Sequence, residues 1–342
     1  MHKVFVWNKK IEVYQGKIDQ YILNNQSHIN GYEFIQVPED LHLSALFDYL
    51  KQNGAYALVH RNEHGLLHCT AEWVAFTNRC LENKIPVLSF DFGYFDHYNS
   101  FMVDFYTHNC ISSIYHKWKT FKPTFDWNRT PAYMQKHRKS VLEKFEAQKA
   151  APNPLNVDNL VTVWGQWTTE LIKHYFYQNG RHIPMDEWIR KLVPIIKDKG
   201  FSPAVKMSPV KSLRWFEELQ KELPVFIGRK SHMSELPDTL YEKNVNSVLM
   251  VHSKFNIINC SSVSNELFLT DSKVIAMGRS WFDGLSVFYE PKNWSEIMDY
   301  KEPHPVNKNK WCNWWLECQC ELKDLPEKII STIDEARKYG NY

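Results

Sequence analysis

The 342-residue sequence has no apolar run approaching the ~20 residues that a membrane-spanning helix requires. Its first residues, MHKVFVWNKK, lack the basic-then-apolar pattern of a signal peptide. Paired cysteines are missing as well. The seven present (Cys69, Cys80, Cys110, Cys260, Cys312, Cys318 and Cys320) are odd in number and scattered, several inside apolar patterns, as reduced core thiols are. Cys312, Cys318 and Cys320 lack the CxxC spacing of a zinc site, so no metal is expected there. A net charge of only +2 removes any polyelectrolyte reading of the whole chain. No GxGxxG, Walker P-loop, HExxH or GxSxG occurs, nor any internal repeat or low-complexity tract. The expectation is a cytoplasmic protein without a membrane span.

What the chain does have is apolar and aromatic mass: 44% hydrophobic residues, 15% aromatic, with 13 tryptophans. That is enough for large cores, and the length suits two domains. Residues 1–115 alternate strand and helix signals. Val4 to Trp7, Tyr32 to Val37, Ala55 to His60, Pro86 to Phe90 and Ile111 to Tyr115 read as strands. Asp40 to Asn53 and Ala71 to Asn83 read as helices between them. Such alternation predicts a doubly wound, mostly parallel sheet, whose ligands bind at the carboxyl ends of its strands. The loops to inspect are therefore those after Val59 and after Phe90.

Residues 116–150 differ. They hold nine Lys or Arg against three acids, net +6, which leaves −4 for the rest of the chain. Trp118, Phe121, Phe125, Trp127 and Tyr133 are interleaved with the bases, a composition that suits a nucleic-acid backbone with unstacked bases. The plainer reading is a solvated helix from Pro131 to Lys149. The Pro/Asn-rich APNPLNVD at 151–158 reads as an interdomain linker.

A second strand–helix series follows. Leu160 to Trp164, Ala204 to Met207 and Pro224 to Ile227 read as strands, and Thr168 to Gln178, Met185 to Lys199 and Leu213 to Leu223 as helices. Ser247 to Val251, Asn256 to Cys260 and Lys273 to Met277 read as further strands. Ser261, Ser262 and Ser264 open a short helix, Val263 to Leu269, and their hydroxyls are expected to cap it and present an anion site. Glu266, one turn in, could accept hydrogen bonds from a ribose diol. Residues 325–339 read as a terminal helix.

The order Ser-Ser, Glu, strand, Gly278, then aromatic and Gly resembles the nucleotide-sugar half of GT-B glycosyltransferases, most closely the capsular-polysaccharide and Kdo-transferase group. Lys273-Val274-Ile275 stands where that group has Lys-Pro-Val, and Trp281-Phe282-Asp283-Gly284 where it has an aromatic-Gly pair. In the first half, Asn62 falls on the Asn of the group's Trp-Asn-Gly. Asp91, Gly93 and Tyr94 fall on its Glu-x-Gly-Tyr, with Asp replacing Glu. Departures are Asp96, where the group has a basic residue, and Met233, where it has Pro after His232.

The resemblance implies a GT-B-like α/β fold of two Rossmann-like, doubly wound domains facing a central cleft, the C-terminal helix crossing back to the first domain. The expected limits are 1–152 for the acceptor side, 159–290 for the nucleotide-sugar side and 291–342 for the returning tail. It implies sugar transfer from a nucleotide-sugar co-substrate, a UDP-sugar ahead of a CMP-sugar. With fixed donors for the phosphate and no DxD pair, the transfer is expected to need no metal or further cofactor, and a single base makes inversion the simplest course. Asp91 leads as catalytic base, followed by Asp96 and His97, with Glu72 a further candidate. Donor binding falls to Arg229, Lys230, His232, Ser261, Ser262, Ser264, Glu266, Gly278 and Ser280. Acceptor binding falls to Asn62, Tyr94, Lys117, Lys119, Arg129, Lys136, Arg138 and Lys139. The basic-aromatic segment favours a hydroxymethylpyrimidine base in phage DNA as acceptor. A capsular or lipopolysaccharide glycan is the alternative, and a non-catalytic binding protein or an epimerase on the same fold stays open.

Overall fold

The protein is described from a computed structural model, over residues 1–7, 22–23, 28–61, 71–96, 99–105, 113–153, 156–165, 177–178, 181–207, 218, 221, 225–227, 245–259, 261–278 and 280–339. It divides into two units: Met1–Phe125 with Asn309–Tyr342, and Asp126–Lys308.

Unit 1 is built on strands β1 (His2–Trp7), β2 (His28–Ile29), β3 (Tyr32–Gln36), β4 (Ala55–Arg61), β5 (Val87–Phe92), β6 (Ser100–Asp104) and β14 (Gln319–Glu321), in the order β14-β6-β5-β4-β1-β3-β2. The central β3, β1, β4 and β5 run parallel, whereas β2, β6 and β14 add antiparallel to their neighbours. Alternation along β1 splits the core in two. Val4 and Val6 face the cluster that takes in Ile329 and Ile333, while Phe5 and Trp7 face the one that takes in Leu46, Leu50 and Trp73. Helices α1 (Leu43–Gln52) and α2 (Ala71–Glu82) supply the second cluster, and α9 (Leu325–Tyr339) the first. A sheet covered on both faces is why its strands read as plain apolar runs.

The expected strand from Ile111 is replaced. Ile111 lies outside the described residues, and Ile114–Lys117 forms the one-turn helix α3, with the sheet continued instead by β6. In β6 every residue of Ser-Phe-Met-Val-Asp is buried.

Unit 2 carries an all-parallel sheet, β11-β10-β7-β12-β13, from β7 (Leu160–Trp164), β10 (Ser202–Lys206), β11 (Val225–Ile227), β12 (Phe255–Ile258) and β13 (Val274–Ala276). A short β8–β9 hairpin (Tyr177–Gln178, Arg181–His182) stands apart from it, so the expected helix to Gln178 does not reach that end. One face of the sheet packs on α5 (Met185–Asp198). There Trp188, Ile189, Leu192 and Ile196 recur at helical spacing and are buried, each worth roughly 1.5–3 kcal/mol. Asp186 and Glu187 in the first turn and Lys197 in the last complement the dipole of α5.

One domain limit and one element differ from expectation. Helix α4 (Ala132–Lys149) belongs to unit 2, burying Met134 and Phe145 and packing on α6 (Val245–His252) and α7 (Val263–Leu269). The break expected at 152 therefore falls at 125, and APNPLNVD joins α4 to β7 within one unit. Ser247 to Val251 is helix α6 rather than a strand. Its Val245, Ser247, Val248, Leu249 and Met250 are all buried, and an all-round buried helix shows no amphipathic period.

The chain returns to unit 1 through α8 (Pro305–Cys318), whose later residues, with β14 and α9, complete that unit. Among the described residues no helix is long and apolar enough to cross a membrane.

Candidate active site

In unit 1 the carboxyl ends of the parallel strands carry Trp7, His60 and, on β5, Asp91. Trp7 stacks on Trp73 with centroids 6.1 Å apart, and His60 meets the same indole edge-on at 4.6 Å. Asp91 is half-buried near the end of β5, and its Oδ1 accepts a hydrogen bond from its neighbour's amide, Phe92 N, at 2.8 Å. Its Oδ2 receives none among the described residues.

The loop that follows is held by a residue from far along the chain. Gln319 of β14 accepts from Tyr94 N (2.9 Å) and Phe95 N (3.2 Å) through Oε1, and donates through Nε2 to Phe95 O and Ser100 Oγ (2.8 Å each). Gly93 is required by this close approach, because a Cβ there would lie 2.6 Å from Gln319 Cδ. Beneath the loop, Tyr94 lies against Trp311, Trp314 and Trp315 with centroids 5.9–6.2 Å away. Tyr94 is thus part of an aromatic cluster of α8 as well as an acceptor candidate.

Asp96, a candidate base, also shapes the turn. At φ 51° it sits in the left-handed region, its Oδ1 accepts from Asn99 Nδ2 at 2.8 Å, and its carbonyl accepts from Asn99 N and Ser100 N. It closes the turn between β5 and β6, the local use for which Asp and Asn are suited. Asn62 and His97 lie outside the described residues.

In unit 2 the parallel register sets Lys206, Trp164 and Ile258 side by side, so the strands end in a common row. Lys206 is half-buried and donates to Met207 O at 2.8 Å, and burial pulls its ammonium down to about 8. The turn after β12 places buried Asn259 against Gly278, where a Cβ would lie 2.7 Å from the Asn259 carbonyl carbon. Gly278 therefore serves close packing between two strand ends.

Capping by the serines is weaker than expected. Ser262 has helical dihedrals and makes no side-chain cap, Ser261 Oγ accepts from Val263 N at 3.4 Å, and Ser264 is buried. An Ncap needs extended backbone to aim its hydroxyl at the N2 or N3 amide, and Ser262 does not have it. Over seven residues α7 also sums only a short dipole. Glu266 is half-buried on α7. Burial pushes its carboxyl up, and the positive charge of Lys144 pulls it back. Ser280 is buried at the start of the following loop. Arg229, Lys230 and His232 lie outside the described residues.

Glu290 is a carboxylate the sequence reading passed over. It follows Tyr289, which bridges in parallel to Ile275, and accepts from Gly284 N (2.6 Å) and Ser286 N (3.1 Å). It thereby ties the loop that holds the Trp281–Gly284 motif. Burial raises its carboxyl to about 7, against the opposing Gly284 hydrogen bond.

The bases of the basic segment do not all face solvent. Lys117 is buried, and its Nζ pairs with Glu335 Oε2 of α9 at 2.6 Å, so it is a structural lysine and not a contact for an acceptor. Arg138 lies over Trp127 (4.6 Å), Arg129 pairs with Asp126 (3.6 Å) and Lys139 with Glu143 (3.8 Å). Lys119 and Lys136 are exposed. Trp127 thus takes a guanidinium on its face, where stacked bases had been expected. Among the described residues no cluster of His, Cys, Asp and Glu is arranged to hold a metal ion.

No family model and no curated protein matches the chain. Among solved structures, KpsC β-Kdo 2,7-transferase of Thermosulfurimonas dismutans is similar at TM-score 0.54 and 10% identity, over 96% of this chain and 99% of that one. The KpsC β-Kdo 2,4-transferase of the same organism is similar at TM-score 0.50 and 11% identity, over 91% and 90%. This chain thus shares the two-domain, Rossmann-like α/β fold of these transferases, the GT-B fold implied by its motifs.

Proposed function

We propose that the protein is a nucleotide-sugar-dependent glycosyltransferase with a glycan acceptor, of the capsular or lipopolysaccharide type. The observation that carries this reading is the near end-to-end fold likeness to a Kdo transferase, covering both units and the returning tail. Unit 2 holds the donor: Glu266 takes the ribose diol, and Lys206, with Arg229 and His232, neutralises the phosphate. Unit 1 supplies the base. Asp91 removes the acceptor hydroxyl proton as that oxygen bonds to the anomeric carbon, and the bond from that carbon to the phosphate oxygen breaks, releasing the nucleotide. One displacement with one base inverts the anomeric centre and needs no metal.

DNA, favoured as acceptor on composition alone, has no support in the likeness. Its basic-aromatic segment also loses Lys117 to the core and Trp127 to Arg138. The test is a thermal-shift screen with UDP-, CMP-, GDP- and dTDP-sugars. A donor at 100 times its Kd stabilises the native state by about 2.7 kcal/mol. A rise with UDP- or CMP-sugars supports the reading, and no rise with any sugar nucleotide removes it.

A further inference from the structure

The side chain that fixes the Asp91–Tyr94 stretch comes from the far end of the chain. In the β5-β6-β14 ladder Asp91 pairs with Met102, and Met102 pairs with Gln319, so the three lie in one cross-strand row. Neighbouring Phe90, Phe101 and Cys320 belong to the core cluster on one face, which sends Asp91, Met102 and Gln319 to the other. Strand spacing sets Gln319 roughly 10 Å from Asp91 along that row.

From there its amide bridges the loop at both ends. Oε1 takes the Tyr94 and Phe95 amides, and Nε2 reaches Phe95 O and Ser100 Oγ. Ser100 Oγ also bonds Phe95 O. Apart from the part-buried bond to Tyr94 N, this network is buried, Gln319 being 5% exposed. A carboxamide is the side chain that can do it, since the site needs two acceptor bonds on one atom and two donor bonds on the other. Gly93 completes the fit by leaving room for the amide carbon.

We propose that Gln319 is a positioning residue for sugar transfer: it locks the loop that follows Asp91, so the C-terminal segment sets the geometry of the acceptor-side base. The inference rests on the reading of Asp91 as that base. Gln319 touches no substrate. It acts by holding Tyr94 and Phe95, and through them the end of β5 that carries Asp91.

The experiment uses the full chain with Gln319→Glu and Gln319→Leu, and core variant Ile333→Val as a control for lost stability. Gln319→Glu keeps both acceptor bonds and loses the donors to Phe95 O and Ser100 Oγ, whereas Gln319→Leu loses all four. Three readouts are taken: amide exchange at Tyr94 and Phe95, donor Kd by calorimetry, and kcat with acceptor. Both Gln319 variants should speed exchange at those amides, leave donor Kd within about twofold, and lower kcat by about 10- to 100-fold, as misplacement of a reacting group does. Ile333→Val should leave kcat unchanged. Unchanged exchange, or a Gln319→Glu enzyme with wild-type kcat, overturns the proposal. Faster exchange in a protein that transfers sugar from no donor instead overturns the glycosyltransferase reading, and the catalytic role of Gln319 with it.

Discussion

Replacing either member of the Lys117–Glu335 pair should destabilise unit 1 unequally. Nζ and Oε2 are 2.6 Å apart, with side-chain exposures of 9% for Lys117 and 29% for Glu335. At that separation and an effective dielectric constant near 20, the gross attraction is about 6 kcal/mol, most of it offset by desolvation. Burial by itself would lower the lysine, yet Cys318, Glu335 and Asp104 around it hold its ammonium above the ordinary value. Glu335→Gln leaves a buried cation, softened by Asp104 and by the Phe105 ring 5.7 Å away. It should cost about 3 kcal/mol, the lower end for halving a buried pair. Lys117→Met leaves the more exposed carboxylate, which can rehydrate, and fills the lysine's channel with an apolar chain, so it should cost about 1 kcal/mol. Urea unfolding of both variants, with m compared, measures the difference. Equal losses, or a larger loss for Lys117→Met, would refute the assignment of Lys117 to the core.

Two further outcomes follow from unit 2. The folded-state Glu290 carboxyl titrates near 7, above the ordinary 4.5, so the native state holds that proton more tightly than the unfolded chain. Its contribution is fully present below 4.5 and is lost as pH rises through 7. Glu290→Gln should therefore gain thermal stability relative to wild type between pH 5 and pH 8, a span of about three units across that titration. A Tm difference independent of pH would contradict the assignment. Lys206→Met should weaken binding of the nucleotide about 10-fold or more while sparing the uncharged nucleoside, since a charge-assisted contact to phosphate is worth roughly 1.5–3 kcal/mol. Equal loss for both ligands would make Lys206 a structural residue.

The parallel strands were legible because short apolar runs such as Leu160–Trp164 and Ala55–Arg61 lie between layers and carry their apolar character on both faces. Helices with a single buried stripe, α5 above all, were legible for the complementary reason. What failed was decided by tertiary partners. Strand β14 is three residues, Gln-Cys-Glu, with no strand signal apart from its pairing to β6. Helix α6 reads as a strand because burial on all sides erases its period. Pro and Asn at 151–158 mark a turn faithfully, yet composition cannot say whether the turn separates two domains or two elements of one.

The site divides the same way. Asp91, Gly93 and Glu266 were singled out through motif order, and the close approach of Gln319 accounts for the glycine. Gln319 had no local signal, since nothing near it in sequence requires a carboxamide. Lys206 had one: a cation at the carboxyl end of β10, after Pro203, Ala204 and Val205, where ligands of such sheets bind. The basic segment misled because charge counts ignore partners, and Lys117, Arg138 and Lys139 each have one.

The most direct measurement is nucleotide release from UDP- and CMP-sugars, with and without oligosaccharide acceptors, for wild type and Asp91→Asn. The account predicts acceptor-dependent release with the sugar appearing on the glycan, abolished in Asp91→Asn while donor affinity is kept. Release from no donor, or undiminished transfer by Asp91→Asn, would contradict it.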